Sequence, residues 1–543
     1  MSTLGRLTES YYPRDESEAI WDVTVGDALR TVAGEAPDRL FLVDGQPDPA
    51  QRRSWTYAEF LGEAERIARA LLARFEPGEH IGVLSANCPE FMLTQHAIYL
   101  AGMRLVALNP AYREHELRYI LGQSQTAGLF YVPSYRGFDP GPLIEQLRPE
   151  LPKLRETIAF DEAFARFAES GDPETRLPEL DPGDVVQIQY TSGTTGFPKG
   201  AMLHHRGVLN AGRFAVARGG FPEGGVWINA MPVYHVGASA TTQLGVLALR
   251  GTYVLMREWD ARLMLELFEA YRGSATLVVP TMLIALLDHP DAATRDLSSI
   301  QTMYSGAAVV PAELVRRTKE TLDCDVTILF GQTELNGVVT ATRPTDSPED
   351  QADTVGQPLP GAEMRIADRA TGETLALGEH GDICVRGYQT MVGYFDKPEE
   401  TAQTLDDDGW LWMGDIGTMD DRGYITITGR SKEMIIRGGV NIYPREIEDV
   451  LFAHAAIAQA AVIGVPDETW GERIIAAILP KDPSSPPSPD ELKAYCRQKL
   501  AAHKTPAQWV ILDTFPTTAT GKVQKFVLQE QIATGALNPI AAA

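Results

Sequence analysis

Residues 190–200 read Tyr190-Thr191-Ser192-Gly193-Thr194-Thr195-Gly196-Phe197-Pro198-Lys199-Gly200, directly after a β-rich run at 185–190. Glycines without a Cβ let backbone amides turn toward an anion, the hydroxyls add donors, and Lys199 adds a full positive charge. That combination suits a polyphosphate. The commonest phosphate loop has four residues between its glycines and then Gly-Lys-Ser/Thr. Here two residues separate Gly193 from Gly196, and Pro198-Lys199-Gly200 follows, so that loop is excluded. The bland alternative is a flexible surface loop, but this order of residues is not generic.

Three further stretches could do chemistry. Phe330-Gly331-Gln332-Thr333-Glu334 follows a β-rich run at 326–329. A glutamate at a strand end, beside a threonine hydroxyl, can hold Mg²⁺ near a phosphate, and Phe330 offers a ring for a base. Asp415, in Trp412-Met413-Gly414-Asp415, can accept hydrogen bonds from ribose hydroxyls. Lys522, in Thr520-Gly521-Lys522, stands in a near-terminal loop. Taken singly, each reads as well as a capped turn, a turn aspartate or a solvated lysine.

The elements that must position these residues are those of a layered α/β protein. A chain of 543 residues is too long for one simple core and suggests about three or four domain-sized units. Over the first ~430 residues helical and strand-like patterns alternate. Thr56 with Glu59 forms a capping box before an apolar stripe of Phe60, Ala64, Ile67, Ala68, Leu71 and Phe75. Strands are expected at 81–85 and 276–279, β-rich segments at 337–342 and 381–386, and a helix at 256–271. After Gly429-Arg430 the pattern changes. Pro444 opens a helix with Ile447, Val450 and Leu451 on one face, strands follow at 460–465 and 474–479, and Ser488 with Glu491 caps a helix facing inward through Leu492, Tyr495, Cys496 and Leu500. This is a compact α+β unit of about 110 residues, large enough to fold separately. The expected division is 1–429 and 430–543, joined by a short hinge.

Composition narrows the partners. Hydrophobic residues make up 44% and charged residues 22% of the chain, ordinary values for a soluble enzyme. The net charge of −25 repels nucleic acid and anionic lipid, so no nucleic-acid partner is expected and any anion site must be locally basic. Cys88, Cys324, Cys384 and Cys496 have no metal-ligand or redox spacing, which points to a reducing compartment. Residues 1–22 are polar and acidic, unlike a signal peptide, and no run of ~18 apolar residues occurs. The expectation is a cytoplasmic monomer or homodimer without a transmembrane segment; peripheral membrane contact stays open.

In joint order, the glycine-rich loop, Phe-Gly-x-Thr-Glu at 330–334, Gly-Asp at 414–415, Gly-Arg-x-Lys-Glu at 429–433 and Thr-Gly-Lys at 520–522 resemble the adenylate-forming superfamily. That superfamily includes acyl-CoA synthetases, peptide-synthetase adenylation domains and beetle luciferase. The likeness runs from Asn109-Pro110-Ala111-Tyr112 to Lys525. It implies a large N-terminal domain of layered α/β subdomains plus a β-rich subdomain, followed by a small mobile α+β domain. It also implies an AMP-forming acyl-CoA synthetase using ATP, Mg²⁺ and CoA on a small-molecule carboxylic acid.

By that resemblance, Thr191, Ser192, Gly193, Thr194, Thr195, Gly196 and Lys199 grip the β- and γ-phosphates. Thr333 contacts the α-phosphate, Glu334 holds Mg²⁺, and Gly331 and Gln332 complete the nucleotide-facing stretch. Ser305-Gly306-Ala307-Ala308 and Phe330 flank adenine, and Asp415 and Arg430 bind ribose. Lys522 bridges the α-phosphate and the attacking carboxylate. Lys432 is the pivot about which the small domain turns between steps, and Arg437-Gly438-Gly439-Val440-Asn441 is the face then presented to the thiol. For Gly438-Gly439 a simple β-turn is the alternative reading.

Pro232-Val233-Tyr234-His235-Val236-Gly237 resembles the segment that forms the acyl pocket. Amino-acid-activating relatives usually carry aspartate where His235 falls, so an amino-acid substrate is not expected. His235 either gates the pocket and meets the carboxylate, or simply packs. Gly237, Ala238, Ala240, Gly306, Ala307, Gly337 and Val338 are small and leave volume, which favours a hydrophobic medium- or long-chain or bulky cyclic or aryl acid. Phe330, Met413, Thr517 and Lys432 depart from frequent family residues without removing a required group. The rival acceptor is a carrier-protein pantetheine, which carries the same thiol arm as CoA. A nucleotide-binding protein without catalysis is disfavoured by intact Lys199, Glu334 and Lys522.

Overall fold

The computed structural model describes residues 5–191, 198–306, 308, 310–438, 440–467, 469–517 and 523–542, with only the backbone of Asn441. Ser192, Gly193, Thr194, Thr195, Gly196, Ala307, Gly439 and Lys522 therefore lie outside the described residues.

Two parallel-centred sheets build most of the large domain. The first has seven strands, in the spatial order 393–394, 199–204, 185–191, 104–108, 80–84, 128–131 and 156–159. Its inner strands His80–Leu84 and Arg104–Leu108 are almost continuously buried, as parallel strands covered on both faces must be. The second has nine strands, with a parallel centre of Val226–Asn229, Thr252–Leu255, Ala275–Val278, Thr302–Gly306 and Asp325–Gln332. Helix Pro89–Leu100 is buried all round except at Glu90 and belongs to a core that draws residues from both sheets. An all-round apolar helix needs such a double cover. A five-stranded antiparallel sheet, ending in Leu411–Met419 and Ile425–Arg430, forms the β-rich subdomain.

The small domain follows at once. Strands Ile457–Asp467 and Gly471–Pro480 pair along their length, and Gln508–Ile511 adds in parallel. Helices Pro444–Phe452, Pro489–Lys499 and Lys525–Ala533 pack on this sheet around their own cores. A large N-terminal α/β domain and a separate C-terminal domain are thus both present, as the sequence implied.

Local chemistry sets the boundaries. The capping box of Thr56 and Glu59 forms with both of its hydrogen bonds, and Ser488 accepts from the amide of Glu491. One expected boundary needs correction. The helix placed at 256–271 begins at Ala261, because Asp260 accepts from the amide of Leu263 and caps it there. Met256 continues the preceding strand's hydrogen bonding through its amide to the carbonyl of Asn229. All four cysteines are free and buried, and burial pushes the Cys88, Cys324 and Cys384 thiols up to about 12, which makes them inert packing groups.

Candidate active site

Among the described residues, Thr191, Ser305–Gly306 and Phe330–Gln332 end strands that have a parallel neighbour, and open α/β sheets bind ligands at such carboxyl ends. Strands Val185–Thr191 and Lys199–His204 form an antiparallel pair in which Thr191 stands opposite Lys199. The glycine-rich loop connects these two residues. Tyr119 donates to the carbonyl of Pro198 at 3.0 Å, and Tyr190 donates to Gln123, so the base of the loop is held from outside.

In the second sheet, Thr302–Gly306 runs beside Asp325–Gln332. A Cβ on Gly306 would lie 2.5 Å from the carbonyl oxygen of Leu329, and one on Gly331 would lie 2.0 Å from that of Gly337. Both positions are glycine because backbone passes against backbone there. The strand bulges between Phe330 and Gly331 and ends in a 3₁₀ turn, Thr333–Leu335, which presents Glu334. Ala308 is exposed, while Ser305 is fully buried. Among the described residues the Ser305 hydroxyl and the Gln332 amide nitrogen have no hydrogen-bond partner. Buried polar atoms of this kind suit a ligand that offers donors and acceptors, as a nucleotide does.

Glu334 is held by a residue that sequence reasoning missed. The Tyr394 hydroxyl donates to Glu334 Oε1 at 2.7 Å, and the Lys199 ammonium lies 4.8 Å from the centroid of the same ring. The main chain completes the link. The amide of Met391 donates to the Glu334 carbonyl at 2.9 Å, and that of Phe395 to the Gly200 carbonyl at 2.8 Å. One short segment, 391–395, therefore stitches the metal-site candidate to the phosphate hairpin. Burial, and then the Glu334 charge, push the Tyr394 phenol upward, so it stays a donor. Tyr394→Phe should raise the Mg²⁺ concentration needed for half-maximal activity by about tenfold, the lower range for losing a group that orients a metal ligand. An unmoved Mg²⁺ titration would remove Tyr394 from this role.

Asp415 and Arg430 meet across paired strands, with Arg430 Nε 3.0 Å from Asp415 Oδ1. The aspartate side chain is 6% exposed and the arginine 48%, so the pair presents an oriented carboxylate with a cation at its rim. In the turn that follows, Lys432 has its ammonium lowered by burial and then by the charge of Lys199. Two cations from distant segments thus share one neighbourhood, which is what an anion site in an acidic protein requires.

His235 precedes a π-helical turn, Gly237–Thr242. Its Nδ1 accepts from the Gly237 amide at 3.2 Å, and its carbonyl accepts from the amides of Ala238 and Ser239. That leaves Nε2 to carry the proton in the neutral ring. Ala238 and Ala240 are buried, and a Cβ on Gly337 would meet the Thr241 hydroxyl at 2.5 Å, so the small residues of this region pack around the turn.

Mg²⁺ fits this donor set in one way. Among the described residues no group of three His, Cys, Asp or Glu side chains could enclose a metal. A single carboxylate suits a Mg²⁺ that keeps its remaining ligands from phosphates and water. On the small domain, Gly438 donates its amide to the Trp470 carbonyl at 2.7 Å. Trp470 is 51% exposed, with the Arg437 guanidinium 5.3 Å from its ring. The sequence signal was a large aromatic in a polar turn, Thr469-Trp470-Gly471-Glu472.

Comparison with known proteins places this arrangement. Residues 29–395 match the family model "AMP-binding enzyme", and residues 446–522 match "AMP-binding enzyme C-terminal domain". The chain is 36% identical over 537 residues to YngI of Bacillus subtilis (strain 168), covering 94% of this chain and 97% of that protein. It is 33% identical over 546 residues to the human mitochondrial medium-chain acyl-CoA ligase ACSF2, covering 94% and 87%. The crystal structure of ATP-bound MatB from Rhodopseudomonas palustris superposes with a TM-score of 0.84 at 28% identity, over 94% of this chain and 99% of that one. The chain therefore belongs to the AMP-binding enzyme family and carries that family's C-terminal domain.

Proposed function

We infer that this chain is an ATP-dependent carboxylic acid–CoA ligase forming AMP and pyrophosphate. The observation that carries this reading is that Thr191, Lys199 and Glu334 are tied together around Tyr394, with Lys432 within reach of the Lys199 charge and two residues after the Asp415–Arg430 pair. A carboxylate is a poor electrophile, because its charge repels nucleophiles and oxide leaves badly. Attack of the carboxylate on the α-phosphorus of ATP forms an acyl-adenylate and releases pyrophosphate. Charge builds on the phosphoryl oxygens during that step, so preplaced cations and donors stabilise it. Thr191 and Lys199, with the loop between them, hold the leaving pyrophosphate, and Thr333 meets the α-phosphate. Bound Mg²⁺, held by Glu334, would neutralise phosphate charge. Lys522 orients the attack.

The second step is attack of the CoA thiol on the mixed anhydride, with AMP as leaving group. Lys432 is the proposed pivot between domains 1–429 and 430–543, and Gly438 and Gly439 are the proposed approach for the pantetheine arm, with Trp470 at its edge. A carrier-protein thiol is the alternative acceptor. The human relative, named for medium-chain acids, supports a hydrophobic acid. We assign His235 to this acid pocket, where it gates the pocket or meets the carboxylate. No described helix is long and apolar enough to cross a membrane. We assign the enzyme to the cytoplasm, as a monomer or homodimer.

The test separates the half-reactions. Acid-dependent ATP–pyrophosphate exchange must proceed without CoA, and AMP must accumulate once CoA is added. Gly439→Leu should leave exchange within about threefold while thioester formation falls by about 10²-fold, the cost of a misplacement of about 1 Å. Preserved thioester formation would exclude Gly439 from the thiol path.

A further inference from the structure

The turn between the domains is anchored on both sides by separate polar contacts. Toward the large domain, the amide of Ser431 donates to the Gly414 carbonyl at 2.9 Å, and its hydroxyl donates to Asp382 Oδ1 at 2.9 Å. Toward the small domain, the Lys525 ammonium donates to Glu433 Oε2 at 2.6 Å and lies 2.8 Å from Glu448 Oε1. Glu448 also accepts from the amide of Val462 at 2.7 Å. Lys432 falls between the two anchors.

The Lys525 side chain is 17% exposed, and that of Glu448 12%. Burial alone would lower this ammonium, but the two carboxylates outweigh it and raise it, so it stays charged. A cation this enclosed and doubly paired is fixed in place. Lys525 is the first residue of helix Lys525–Ala533 and comes three residues after Lys522. Three residues of chain span at most about 11 Å. Whatever fixes Lys525 therefore limits where Lys522 can be carried.

We propose that Lys525 is a positioning residue, clamping Glu433 and Glu448 so that the start of its helix, three residues after Lys522 in the chain, is held to the residue directly after the pivot. Rotation at Lys432 is then carried through Glu433 to Lys525, which bounds the reach of Lys522 to three residues of chain. The proposal rests on the reading of Lys522 as the group that orients acyl-adenylation. It also makes the two half-reactions separable. Strands Ile435–Arg437 and Val440–Ile442, which flank Gly438, are attached to the small-domain sheet through the pairing of Arg437 with Gly471, independently of Lys525. Loosening the clamp should disturb adenylation and spare thiol transfer.

The experiment measures acid-dependent ATP–pyrophosphate exchange, thioester formation from supplied acyl-adenylate, and thermal midpoint, all on the full-length protein. Lys525→Met should lower exchange by about 10²-fold while thioester formation stays within about threefold. Lys525→Arg, which keeps the charge, should recover most of the exchange. Glu433→Gln leaves Lys525 paired with Glu448, so it keeps the test open if Lys525→Met fails to fold, and it should show the same selective loss at smaller size. Equal loss of both half-reactions would overturn the proposal and leave the triad a purely structural contact, as would full exchange in folded Lys525→Met. Lys522→Ala run in parallel separates the two ideas. Loss of exchange there, with full exchange in Lys525→Met, defeats only the clamp. Full exchange in Lys522→Ala defeats the reading of Lys522, and the clamp with it.

Discussion

Lys522→Ala should abolish acid-dependent ATP–pyrophosphate exchange while sparing most thioester formation from supplied acyl-adenylate. The physical reason is charge. The attacking carboxylate and the α-phosphate are both anions, and at contact distance in a water-poor site they repel by several kcal/mol. A cation placed between them removes that penalty and fixes the angle of approach. Loss of one such preplaced group costs about 10²–10³-fold. In the second step the nucleophile is a thiol and the leaving group is AMP, so the bridging cation is not needed. Equal loss of both half-reactions would contradict a division of labour between two domain positions.

Glu334→Gln should raise the Mg²⁺ concentration for half-maximal exchange by about 10–100-fold, a range that even supporting groups around a metal can reach. Glu334 stands on a 3₁₀ turn at the end of its strand, with Oε1 accepting from Tyr394. Glutamine preserves the shape, and its carbonyl oxygen still accepts that bond, so the thermal midpoint should barely move. What is lost is the negative charge. Among the described residues no three-ligand cluster stands by to replace it. The effect should exceed that of Tyr394→Phe, which leaves the carboxylate in place. An unchanged Mg²⁺ titration would strip Glu334 of its assigned role.

Legibility in the sequence followed the range of the contacts. Local signals were readable in the chain itself: the glycine-rich loop ending at Lys199 as an anion-binding stretch, the capping box at Thr56 and the cap at Ser488; the Phe330–Glu334 stretch took its meaning from its order among the other motifs. Asp415 and Arg430 were readable as a pair of roles but not as a salt bridge across strands. Tyr394 was invisible, since its partner Glu334 is 60 residues away and tyrosine in a Gly-Tyr-Phe segment reads as ordinary packing. The clamp of Glu433 by Lys525 spans 92 residues and was equally hidden. The helix expected at 256–271 exceeds the observed one because Met256 and Trp259 extend its apolar pattern, while the cap at Asp260 decides its start. Burial, not composition, made the four cysteines inert.

The central claim is activation of an acid as its adenylate followed by thiol transfer. The most direct measurement is nucleotide release across a panel of carboxylic acids, with and without CoA. The account predicts acid-dependent formation of AMP and pyrophosphate that turns over only when CoA is present, strongest for hydrophobic acids. Release of ADP and phosphate, or AMP formation indifferent to the acid, would contradict it.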